Sequence, residues 1–228
     1  MMLCFDGFGS PVEIASGRAS SLTIESRVLF ARVCQSLSSK MGADAMEPYT
    51  LWFDHDTEMR PTSSIEYVAD PFDLPWGEKA LAGRLDERIE RIVFEDEAAR
   101  MRLEAAARDI EEIANAASLQ LSSDYAFGIE WDLRRYLHSF GFSVQKATNE
   151  PLLESLIRFC HYVEDARYSG LLVLVNLRFF LSENEMKAFL EQVFFSNLYV
   201  LILNAGVESD IFPKEKKYVI DQHLLENW

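Results

Sequence analysis

Three carboxylates, Asp124, Glu130 and Asp132, fall within nine residues of a 228-residue chain, interleaved with Tyr125, Phe127 and Trp131. An irregular segment of this kind offers a hard cation such as calcium several oxygen ligands at once, from side chains and from carbonyls outside a helix. The same acidity also suits the start of a helix, where the aligned peptide dipoles leave partial positive charge. No EF-hand pattern is present, so the residue types leave both readings open. His161 and Glu164 stand three apart on a helical stretch, a ligand-pair spacing that lacks a third partner. Asp54-His55-Asp56 has the composition of a solvated turn.

Other chemistries lack their residues. A phosphate-binding loop needs closely spaced glycines, so that backbone N–H groups reach the phosphates, and a lysine for charge. The nearest candidates, Asp6-Gly7-Phe8-Gly9-Ser10 and Ser16-Gly17-Arg18-Ala19-Ser20, carry neither the spacing nor a lysine. Two apolar runs end on Asn176 and Asn204, where an acidic residue would be needed to hold magnesium. No serine stands in a GxSxG elbow. Cys4, Cys34 and Cys160 form no CxxC pair and read as free thiols of a reducing compartment. No catalytic residue is nominated, and no enzyme activity is expected.

The elements that must position these residues are legible from periodicity. Pro11–Ile14, Ser21–Glu25, Tyr49–Phe53 and Ile65–Val68 have strand patterning, and Ser26 is placed to cap a helix carrying Val28, Leu29, Val33 and Leu37, with Gly42 past its end. Residues 76–121 change character: Ala, Leu, Glu and Arg dominate and proline is absent. Leu81, Leu85, Ile89 and Ile92 form one stripe and Leu103, Ala106, Ile110, Ile113 and Ala117 a second, with a break expected at Phe94-Glu95-Asp96. Narrow, alanine-lined stripes flanked by charge suit helices that pack on partner helices, so an extended two-helix arm is expected. Helices follow over Trp131–Phe140 and Pro151–Tyr168. Leu171–Val175 and Tyr199–Leu203 are continuous apolar runs, the pattern of strands buried on both faces. The box Ser182-Glu183-Asn184-Glu185 opens a helix between them. The expected fold is therefore α/β: a parallel-sheet head formed by 1–75 and 122–228, and a helical arm formed by 76–121.

Basic residues number 22 and acidic residues 37, a formal charge of −15 spread over the whole chain, which argues against a polyanion as partner. No apolar run reaches the ~18–20 residues of a membrane span. Met1-Met2-Leu3-Cys4-Phe5-Asp6 lacks a basic region followed by an apolar one, so a soluble, cytoplasmic protein is expected.

The order of the segments resembles one family. Pro11-Val12-Glu13-Ile14, Leu22-Thr23-Ile24-Glu25, Leu51-Trp52-Phe53-Asp54-His55, the two-helix arm and Leu137-His138-Ser139-Phe140-Gly141-Phe142 occur in sequence. They are followed by Leu171–Asn176, Leu181-Ser182-Glu183-Asn184-Glu185, Phe212-Pro213 and Tyr218-Val219-Ile220-Asp221. This ordered set is similar to the ring-forming CRISPR-associated spacer-acquisition protein of type II-A loci (Csn family, member two). The resemblance implies a head with the topology of a P-loop NTPase that has lost its phosphate loop. It also implies a homotetrameric ring stabilised by calcium, and a central hole that takes the ends of linear double-stranded DNA. The partners implied are the CRISPR integrase pair and the effector nuclease of the same locus, in spacer acquisition and antiviral defence.

Carried onto this chain, the resemblance assigns calcium to Asp124, Glu130 and Asp132, although the family is richer in carboxylates across residues 118–132. The family lines its hole with lysine, whereas this chain has seven lysines and fifteen arginines. Arg134-Arg135, with Lys214, Lys216 and Lys217 before the last strand, are the densest basic groups and the candidates for DNA contact. A different class of function fits the same arm: an oligomeric helical scaffold that binds only protein.

Overall fold

The computed structural model describes residues 1–54, 56–128, 130–145, 149–207, 212–222 and 226–227. Its strands are β1 (Met2–Phe5), β2 (Val12–Glu13), β3 (Ala19–Ile24), β4 (Tyr49–Phe53), β5 (Thr57–Met59), β6 (Ile65–Val68), β7 (Leu171–Val175), β8 (Tyr199–Ala205), β9 (Glu215–Ile220) and β10 (Glu226–Asn227). Its helices are α1 (Arg27–Ser39), α2 (Pro61–Ser64), α3 (Lys79–Glu95), α4 (Glu97–Ser118), α5 (Leu133–Ser139), α6 (Leu152–Asp165) and α7 (Glu183–Phe195). The larger sheet runs β10-β9-β3-β8-β7-β6, parallel throughout except for β10 at its edge. A smaller antiparallel sheet runs β2-β1-β4-β5. The expected α/β fold with a parallel sheet and added helices is what forms. Among the described residues no helix is long and apolar enough to cross a membrane.

The chain divides into two compact units, Met1–Trp76 with Lys146–Trp228, and Gly77–Gln145. Residues 122–145, grouped with the head on sequence, therefore belong by packing to the helical unit. α5 explains the difference: it buries Leu133 and Leu137 and pairs Arg134 with carboxylates of α3.

In the first unit, alternation along the strands divides the core. Leu22, Ile24, Leu171, Val173, Leu201 and Leu203 join one cluster with Val33 and Leu37 of α1 and with Leu3, Phe5, Val12 and Leu51 of the small sheet. The intervening Leu172, Leu174, Val200 and Ile202 point to the other face and are equally buried. α7 packs on β3 from there and α6 packs on α7. Cover on both faces is why β7 and β8 read as unbroken apolar runs. Ser182 and Glu185 form the expected capping box at the start of α7.

One charged pair is sunk in this unit. Arg178, just after β7, reaches Glu215 at the start of β9 at 2.6 Å, and the Glu215 side chain has no solvent exposure. The guanidinium also lies 4.9 Å from the centre of the Phe212 ring. Removing one partner of a buried pair strands the other charge, which costs roughly 3–5 kcal/mol. Glu215→Ala is accordingly expected to lower the urea midpoint substantially, and an unchanged midpoint would refute the load assigned to this pair.

Candidate functional site

In open α/β sheets ligands sit beyond the carboxyl ends of the strands, and a phosphate loop, where one exists, joins a strand to the helix after it. Here the connection from β3 to α1 is two residues, Glu25 and Ser26. Both are engaged. The Glu25 N–H donates to Ile220 O at 2.9 Å, and its carboxylate accepts from the Gln222 N–H at 3.2 Å. The Ser26 hydroxyl caps α1 by accepting from the Leu29 N–H at 3.4 Å. An acid and a cap thus occupy the turn, with neither a glycine nor a lysine to approach a phosphate.

Backbone groups at the neighbouring strand ends are also engaged, although a cavity of about 640 Å³ lined by Asp70, Phe72, Val175, Asn176, Phe179 and Phe180 opens beyond β6 and β7. Asn176, in the left-handed conformation with φ 54°, donates its N–H to Leu203 O at 2.8 Å. Its Oδ1 accepts from the Ala205 N–H at 3.0 Å, so the side chain ties β7 to β8. The Gly206 N–H bonds Ile24 O at 3.1 Å. The two glycine-bearing segments lie elsewhere. Gly7 and Gly9 fall between β1 and β2, and Gly17 sits between the paired Ala15 and Arg18. At Gly17 (φ +71°) an added Cβ would lie 3.2 Å from Phe194 O, so this glycine serves a close backbone approach.

The acidic segment of the helical unit does not gather into a metal site. Asp132 is the N-cap of α5, its Oδ1 accepting from the Arg135 N–H at 2.8 Å. Asp124 and Glu130 are exposed, and Ile129 between them lies outside the described residues. Among the described residues no three Asp, Glu, His or Cys side chains form a group able to hold an ion. The helix-start reading of this acidity holds for Asp132, which the described residues of one chain do not bring together with two further ligands. His161 meets Gln192 at 2.8 Å and Glu164 accepts from the Asn197 N–H at 3.0 Å, so that pair joins α6 to α7 and its sequel. His55 lies outside the described residues.

Most of the basic candidates are already answered by acids. Arg134 Nε lies 2.8 Å from Glu90 Oε2 and its Nη1 3.2 Å from Glu87 Oε1. Lys214 reaches Glu191 at 2.7 Å and lies over the rings of Phe194 and Phe195. Lys216 reaches Glu13 at 2.5 Å, and this hydrogen bond holds its ammonium above the usual lysine range. Lys216 and Lys217 lie inside β9, while Lys214 precedes it. Arg135 is exposed and lines a groove of about 300 Å³ with Phe127, Trp131, Tyr136 and Phe140. The pairings of Arg134 and Arg178 were missed on sequence because their partners lie 44, 47 and 37 residues away.

Sheet order defines an open, mostly parallel α/β head whose β3-to-α1 turn carries no phosphate cradle, in one chain with a helical unit. A crystal structure of Stu0660 of Streptococcus thermophilus has this fold: the TM-score is 0.63 at 15% identity, over 97% of this chain and 74% of that one. No protein-family profile matches the chain, and no curated protein matches it in sequence.

Reversing Arg134, a natural test of DNA contact on sequence grounds, has a structural cost. Glutamate at this position would face Glu87 and Glu90 and repel both. Arg134→Glu is expected to lower the circular-dichroism melting temperature, whereas Arg135→Glu leaves it unchanged. Equal melting of the two variants would contradict this assignment.

Proposed function

We propose that this chain is a non-enzymatic DNA-end-binding ring of the spacer-acquisition type, four copies closing around linear double-stranded DNA. The observation that carries the reading is the composition of the helical unit's surface. Its buried hydrophobic residues are Leu81, Ala107, Leu133 and Leu137, while Ile110, Ile113, Leu119, Phe127 and Phe140 are all more than half exposed. Apolar side chains left outside in this number suit association with further copies. The closed edge at Glu25-Ser26 supports a role without nucleotide turnover, and the order of sequence segments supports the family. The CRISPR integrase pair and the effector nuclease are the partners this role entails.

Charge sets the conditions for DNA. Four copies at −15 carry −60, so attraction must come from basic groups near the duplex, within a Debye length of about 8–10 Å at physiological salt. Exposed Arg135 is the candidate for that lining, since Arg134, Lys214 and Lys216 are committed to carboxylates. The same commitment favours a second reading, a helical scaffold that binds only protein.

Mobility shifts with linear and closed-circular DNA of one sequence separate the two. A ring threads only from an end, so linear duplex is expected to bind and closed circles to bind far more weakly. Binding should fall steeply with salt, because backbone contacts act by counterion release. Circles competing as well as linear fragments would overturn threading, and no shift with any DNA would select the scaffold.

A further inference from the structure

We infer that the helical unit supplies its own cation: Arg134 links α5 to α3, and the residues to which the family resemblance assigns calcium do not converge among those described, so this chain folds and assembles independently of divalent ions. The proposal concerns the helical unit alone and stands whether or not the ring binds DNA.

The geometry lies in the seam between α3 and α5. α3 brings Asp86, Glu87 and Glu90 to this seam, three carboxylates within five residues. Left unanswered they would repel one another, and a divalent ion would be the simplest remedy. α5 answers them with Arg134 and His138, one turn apart. A single guanidinium spans Glu87 and Glu90, which are three apart and so share a face of α3. Burial pushes the Asp86 carboxyl up, and the charges of His138 and Arg134 draw it down. Two of the three carboxylates are thus answered from within the chain by one guanidinium.

The residues expected to hold calcium are differently employed. Calcium takes 6–8 oxygen ligands, and its sites are built from carboxylates that converge. Asp132 spends one oxygen on the cap of α5, and it converges with no second and third carboxylate among the described residues. Arginine stays charged at any physiological pH and presents its N–H groups as a fixed fork. It therefore gives a permanent link, where an ion would give a concentration-dependent one.

The test uses the full chain, melted by circular dichroism and sedimented in chelator and in millimolar calcium, with calorimetric titration of calcium chloride alone. The parent is expected to melt within about 1 °C under both conditions, on a scale where a modest interaction moves a chain of this size by about 2–4 °C. It should sediment identically in both and give no saturable calcium heat. Arg134→Met should melt about 2–4 °C lower in both conditions, and Arg134→Lys, which keeps the charge and loses the fork, should fall between. Stabilisation or enlargement of the parent by calcium, stoichiometric calcium binding, or rescue of Arg134→Met by calcium would overturn the proposal.

Discussion

Strand β3 is buried at all six positions, and the head is organised by that constraint. It lies between β8 and β9, hydrogen-bonded to both in parallel register. Three of its residues, Ser20, Ser21 and Thr23, are polar, so their hydroxyls need partners inside. Ser20 donates to Glu13 O at 2.8 Å, which fixes the end of β2 against the sheet. Ser21 accepts from Asn204 Nδ2 at 3.0 Å, which fixes β8. The strand then passes to α1 through two residues, because Val33 and Leu37 must fall back at once onto the cluster that holds Leu22 and Ile24. A turn that short leaves no room for a loop of backbone donors. The lack of a phosphate cradle at this turn is thus a consequence of how the central strand is packed.

Charge is the second organising quantity. With 37 acids against 22 bases, each basic side chain is in demand as an internal partner. Arg32 goes to Glu47, Arg158 to Glu150, Arg178 to Glu215, Lys187 to Glu183 and Lys214 to Glu191. The exposed pairs among these add little stability each, unlike the buried Arg178–Glu215. Their larger effect is on the outer field, since a lysine held by glutamate attracts a polyanion less than a lysine alone. Arg158 shows a structural use: it bonds Glu150 at 2.6 Å and lies 5.0 Å from the centre of the Trp76 ring, so one side chain holds the two places where the chain leaves and rejoins the head.

Local signals made much of this architecture readable in the sequence. The break between α3 and α4 falls at Asp96, inside the expected Phe94-Glu95-Asp96, because Asp96 caps α4 by accepting from Ala98 and Ala99. Ser182 and Ser26 cap α7 and α1 as their types suggest. α1 ends before Gly42 as expected, and Lys40 takes the left-handed position at φ 54°. What depended on distant packing was not readable. Ser21–Glu25 is legible as a strand, but the burial of its polar residues follows only from its place between β8 and β9. For the candidate site, the acidic segment and the Arg134-Arg135 pair were visible as composition. Their use was not, since Arg134 is answered from a helix more than forty residues earlier.

A parallel α/β head whose first strand-to-helix turn is Glu25-Ser26 is expected to hold no nucleotide there. Calorimetric titration of the full chain with magnesium-ATP tests this most directly. The packing of β3 predicts no saturable heat up to millimolar nucleotide. Saturable binding with a micromolar Kd would contradict it.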